Sequence, residues 1–571
     1  MINYQVFFKN PELHYIEIEM SFKSNNSGDN LLYLPVWTPG SYMVREFSKN
    51  VDKVEATTAY GKILSIKKIK KNQWLIQAVT QDIIIVKYRV YANELTVRTN
   101  HVDDAHALLN GAATFMAVSG QESSKHRVVI HPFGLWSKIS TSLHPLDNIW
   151  HREASDYDEL VDSPIEIGNQ KVIEFEVERV PHQLALVGVS NMEEERLIRD
   201  LSNVLSEEIR FFKATHPCSE YLFILNHTEK TYGGLEHKNS SVNMTPRWSY
   251  EPREKYLKTI SLLAHEYFHL WNIKRIRPVE LDPFDYQNEN YTRQLWAIEG
   301  ITSYYDDYFV YLGGVSSRDE YLDIIAKNYD EVISHVGNHC QSLADSSFDT
   351  WIKYYRPNEN THNTQVSYYV KGSIVALMLN LSILKQTAGE KSLDDVMRLL
   401  YRRYITNPES GYTEQEFREI TEQVMDADLS QFYDDFIYGT SPLNLDTLLF
   451  EAGLKLTKIE KDESDLGWNL EMRSNNYFIQ KVEENGCAAQ SGLQANDEIL
   501  AINGFRMNEQ WNNFIAYNSK GDPLEVIVAR AGIIKKMELN LIGNRKTEYV
   551  IREIENPTAQ QLKIKNAWLK R

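Results

Sequence analysis

The sequence predicts a multidomain α+β protein: a β domain, then a mostly helical domain, then a second β domain. Three observations predict it. At 571 residues the chain exceeds one ordinary core, so two to four domains are expected. Period-2 alternation, as in Tyr15-Ile16-Glu17-Ile18-Glu19-Met20 and Ile83 to Tyr91, runs to about residue 170 and returns after about 446. Between them lie long helix-like segments, one of which carries His-Glu-x-x-His. The boundaries read this way are 1–170, 171–445, 446–545 and a charged segment over 546–571, a helix or a tail.

The amino-terminal strands, punctuated by turn signals at Asn25 to Asp29 and at Tyr60-Gly61-Lys62, imply an antiparallel β-sandwich. The loop Trp37-Thr38-Pro39-Gly40-Ser41-Tyr42 reads equally well as a buried corner or as a wall of a cleft. In the middle region, Leu222 to Asn226 and a run ending at Asn243-Met244-Thr245 read as strands flanking Gly233-Gly234-Leu235-Glu236-His237. Glycines at that place allow a peptide backbone to approach an edge strand. A plain hairpin turn is the alternative for Gly233-Gly234, and the neighbouring Glu236 weighs against it.

His265 and His269 stand four residues apart in a helical pattern, so their imidazoles share one face and can converge on one Zn2+. Glu266 then lies beside the open coordination position, where it can take a proton from water. By this chain's own His and Glu usage the pattern arises by chance in roughly 4% of such chains. Two histidines on a buried face are the alternative. Glu299, in the helix-like and apolar run from Leu295 to Tyr304, supplies a third ligand, because a buried Glu is rare unless paired or metal-bound. Two His, one Glu and a water make a hydrolytic zinc site, one ion per chain.

The formal net charge of −18 argues against nucleic acid as a partner. The longest apolar stretch, Ile374 to Leu384, is too short to span a bilayer, so no membrane partner is expected. The amino-terminal residues lack a charged segment followed by a long apolar run, and Cys218, Cys340 and Cys487 lack metal spacing. A cytoplasmic protein with free thiols is therefore expected.

His265-Glu266-x-x-His269 followed by Trp296-x-x-Glu299-Gly300-x-Thr302 resembles the gluzincin metallopeptidases, which have a thermolysin-like catalytic domain. The spacing of these motifs, His237 where Asn is usual, the Trp37 to Tyr42 loop and a PDZ-like segment near the end are similar to the M61 glycyl aminopeptidases. The PDZ resemblance rests on Ala488-x-x-Ser491-Gly492-Leu493, Asp497-Glu498-Ile499-Leu500 and Ile502-Asn503-Gly504. It implies a sheet edge that receives peptide or protein carboxyl ends, with Leu466-Gly467-Trp468 as the carboxylate loop and Trp468 narrowing the groove. The family resemblance implies that Gly233, Gly234, Glu236 and His237 bind substrate, with Glu236 on its free amino terminus. It also implies that Tyr369, within Tyr369-Val370-Lys371-Gly372, stabilises the oxyanion, with Tyr368 as rival. The implied activity is removal of amino-terminal residues, small ones such as Gly or Ala first. A zinc endopeptidase, or a PDZ adaptor with an idle metal domain, are the alternatives.

Overall fold

The computed structural model describes residues 1–24, 29–77, 82–408, 410–518, 523–541 and 545–570. The turn read at 25–28 lies outside them. The chain forms two compact units that interleave in sequence. The first holds 1–291, 305–316 and 398–413, and the second holds 292–304, 317–397 and 414–571.

In the first unit, strands β1 (Ile2–Phe7), β2 (Tyr15–Lys23) and β3 (Ile83–Tyr91) belong to an eleven-stranded sheet. Their alternation buries Ile16, Ile18, Met20, Ile84, Val86, Tyr88 and Val90 in one core, the outcome that period 2 dictates for a one-sided sheet. A four-stranded sheet includes β4 (His101–Val102) and β5 (Ala107–Leu109), which pair as a hairpin. One departure from the antiparallel expectation appears: β1 runs parallel to β6 (His126–His131), Ile2 opposite His126. The partners stand over a hundred residues apart, so no turn constrains their direction. Strand β7 (Ile165–Gly168) joins β5 in the smaller sheet.

A third sheet carries β8 (Val180–Val187), then helix α1 (Glu194–Phe211), then β9 (Tyr221–Thr228) parallel to β8. All eight positions of β9 are buried, as a central parallel strand requires. Strand β10 (Gly233–Glu236) forms the edge and runs antiparallel to β11 (Ser240–Pro246). Helix α2 (Arg253–Phe268) follows, burying Tyr256, Leu257, Ile260, Leu263, Ala264, Tyr267 and Phe268. Its last turn is pinned by the Tyr267 hydroxyl, 2.9 Å from Nε2 of both His182 and His216.

A π-helical turn, Trp296–Gly300, in the second unit leads directly into α3 (Ile301–Leu312), whose later turns belong to the first unit. Within the second unit α4 (Val370–Gln386) is nearly buried all round. Strand β12 (Leu454–Ser464) precedes a small sheet with its own apolar core, which begins with β13 (Trp468–Arg473) at its edge and β14 (Asn476–Val482). Trp468 packs into that core instead of narrowing a groove, because the first position of β13 faces inward. The charged stretch expected as a helix or a tail folds, with a strand before its helix: β15 (Arg545–Glu553) pairs antiparallel with β12, and α5 (Ala559–Leu569) buries Ile564, Trp568 and Leu569. Its charges are outward-facing members of a period-2 strand and of an amphipathic helix, a pattern that composition alone hides. No described helix is long and apolar enough to cross a membrane.

Candidate active site

Helix α2 presents His265, and His269 one turn on at its C-cap, with their Nε2 atoms 3.0 Å from each other. Nδ1 of His265 is 2.8 Å from Oδ2 of Asp306 on α3, and Nδ1 of His269 is 2.8 Å from the carbonyl of Asn272. Both acceptors demand an N–H at Nδ1, which leaves a lone pair on each Nε2. Two lone pairs facing each other at this distance repel unless a cation stands with them, so this pair fits a metal ion. Ser261 donates to Asp307 beside Asp306. Burial, followed by the Asp306 charge, pushes the Asp307 carboxyl up to about 8. Burial likewise raises Glu208, whose nearest charges are Asp306 and His265.

Around these residues the first unit brings together Glu236, Glu266 and His269, whose potential ligand atoms lie within 4.8 Å of one another. Glu266 is 5% exposed and Glu236 is 3% exposed. A Cβ on Gly234 would stand 2.0 Å from Oε1 of Glu266, so glycine makes room for that carboxylate against the edge strand. Gly233 has φ +143°, open to glycine but strained for other residues. Gly40, at φ +82°, lies against Glu236: a Cβ there would come 2.4 Å from Oε2. The Trp37 to Tyr42 loop is thus both a buried corner and a wall. Trp37 donates from Nε1 to the Asp285 carbonyl at 2.8 Å and stacks on Tyr42. Oε1 of Glu236 has no hydrogen-bond partner among the described residues.

His237 is held by Asp162, which sits 3.1 Å from its Nδ1 and also accepts from Lys238 N and Lys274 Nζ. Burial alone would raise the Asp162 carboxyl, but Lys274 and His237 outweigh it and hold it below the usual carboxylate range. Asp162, Lys274 and Asp306 were not singled out in the sequence. Only Asp306 left a trace there, seven residues and two helical turns after Glu299.

In the second unit Glu299 sits in the π-helical turn, 2% exposed. The next residue, Gly300, meets Gly372 of α4 backbone to backbone, a Cβ on Gly300 falling 2.6 Å from the Gly372 Cα. That crossing sets Tyr369 near Glu299, and burial followed by the Glu299 charge raises the Tyr369 phenol well above its ordinary value. Tyr368 is fully buried with its hydroxyl 2.9 Å from Thr350 Oγ1. The geometry thus favours Tyr369 over its rival.

Residues 3–169 match the Peptidase M61 N-terminal domain, 258–375 the M61 glycyl aminopeptidase domain and 464–541 the PDZ domain. A crystal structure from Idiomarina loihiensis, described as an aminopeptidase N family protein, is 29% identical over 100% of both chains with a TM-score of 0.93. Yeast LTA4 hydrolase in complex with bestatin is 13% identical, covering 77% of this chain and 67% of its own, with a TM-score of 0.46. No curated protein matches. Fold and site together define a metallopeptidase. Within that class its amino-terminal and catalytic segments match M61 peptidase domains and a later segment matches a PDZ domain.

Proposed function

We propose that this protein is a zinc-dependent aminopeptidase acting on peptides with small first residues, Gly or Ala. One observation carries the exopeptidase reading: the Glu236 carboxylate is buried, wedged against Gly40, and has an oxygen without a hydrogen-bond partner among the described residues. A buried anion of this kind needs a cation, and the free ammonium group of a substrate supplies one. Residues preceding that ammonium would meet the Gly40 loop. Gly233, Gly234 and His237 would line the same subsite, the substrate backbone lying along edge strand β10.

One Zn2+ per chain would be held by His265, His269 and Glu299. When bound, the ion would acidify a water and polarise the scissile carbonyl. Glu266, in a water-poor setting beside Gly234, takes the proton of the attacking water and returns it to the leaving amine. Tyr369 donates its phenol hydrogen to the oxygen that becomes negative as the carbonyl is attacked. The PDZ domain would take peptide or protein carboxyl ends along edge strand β13. The divisions 1–170, 171–445 and 446–545 are proposed as functional domains. The three free thiols, Cys218, Cys340 and Cys487, suit the cytoplasm.

The test pairs glycyl and alanyl peptides with their N-acetylated counterparts, with and without chelator. Cleavage confined to the free peptides, lost with chelator and restored by Zn2+, is expected. Equal cleavage of acetylated peptides would establish an endopeptidase instead.

A further inference from the structure

The hairpin of β4 and β5 ends in His101-Val102-Asp103-Asp104-Ala105-His106, and it gathers a second set of metal-ligating groups that peptide hydrolysis does not use. The ligand atoms of His101, Asp103 and His106 lie within 4.8 Å of one another. The turn itself fixes Asp103, whose Oδ1 accepts from Ala105 N at 2.8 Å and His106 N at 2.9 Å. Its other oxygen, Oδ2, is thereby aimed at His101, 3.1 Å from Nε2. His101 Nδ1 is buried with no hydrogen-bond partner among the described residues. Glu166 on β7, fully buried, accepts from Nδ1 of His106 at 2.8 Å and leaves the lone pair on Nε2. A carboxylate that fixes the tautomer of a histidine is the usual support of a metal-binding imidazole.

The tip is also held from outside. Trp136 donates from Nε1 to the Asp104 carbonyl at 3.2 Å, and Gly168 gives the room His106 needs, a Cβ there falling 3.0 Å from the His106 Cβ. The arrangement is therefore built rather than a chance meeting of surface side chains. A dication there would be balanced by the carboxylates of Asp103 and Glu166. Two nitrogen donors to one oxygen select a borderline transition metal over Ca2+ or Mg2+.

We propose that His101, Asp103 and His106 form a second divalent-metal site, taking Zn2+ with water completing its coordination, and that the ion ties together the two strands of the hairpin at its tip. The full chain, stripped of metal and dialysed against ZnCl2, should retain one equivalent more than its His101→Ala variant, with unchanged peptide hydrolysis. Equal metal content in the two folded proteins overturns the site. His101→Cys gives an independent reading: with Co2+ it should gain a thiolate-to-cobalt charge-transfer band. A His101→Cys protein without that band overturns the proposal even if His101→Ala fails to fold.

Discussion

At the scale of single residues, Gly234 and Glu266 are one device. No side chain fits at 234 without displacing the carboxylate, since a Cβ would stand 2.0 Å from Oε1. Gly234→Ala should therefore lower kcat by about 10²-fold, the cost of misplacing a reacting group by about an ångström. Circular dichroism and melting temperature should stay near those of the parent. Tyr369→Phe should lower kcat by roughly 10²–10³ with KM nearly unchanged, as removal of one preorganised donor does. Tyr368→Phe loses its bond to Thr350 and should reduce stability by about 1 kcal/mol without this loss of kcat. A reversal of these two phenotypes would move the oxyanion role to Tyr368.

Elements decide how those residues meet. Helix α3 supplies Asp306 to His265, and Asp306→Asn should weaken zinc affinity by about 10–100-fold while leaving the fold intact. Competition with a graded chelator reads this directly, and unchanged affinity would leave Asp306 with only a packing role. The crossing of α4 over the π-helical turn depends on two glycines, because a Cβ on Gly372 would stand 2.9 Å from the Gly300 Cα. Overpacking at such a crossing costs about 1–3 kcal/mol. Gly372→Ala should lower the melting temperature and, by shifting Tyr369 from Glu299, kcat as well.

For the whole molecule, acid sensitivity follows from buried imidazoles. Burial pushes His126, His182 and His227 from 6.5 down to about 4, so each stays neutral in the folded chain through a range where the unfolded chain takes a proton. The unfolded state then binds more protons, and the stability tied to each is complete above about pH 6.5 and falls as pH drops towards 4. The raised carboxyls Glu208 and Asp307 act in the opposite sense. A difference measurement separates the two: the stability advantage of the parent over His182→Gln should shrink by at most about 3 kcal/mol between pH 7 and 4. A constant advantage would show that His182 titrates in the fold as it does in the unfolded chain. By itself the sequence determined the α+β class and the α2 face bearing His265, Glu266 and His269, because periods of 3.6 and 2 are local properties. It also marked Glu299 and Tyr369 through their motifs. Only the tertiary structure decided that Gly40 abuts Glu236, that Asp162 with Lys274 holds His237, and that a strand over 545–553 precedes the helix near the end of the chain. Those contacts join positions far apart in the chain, through hydrogen bonds, buried charge and close backbone approach that leave no periodic trace in it.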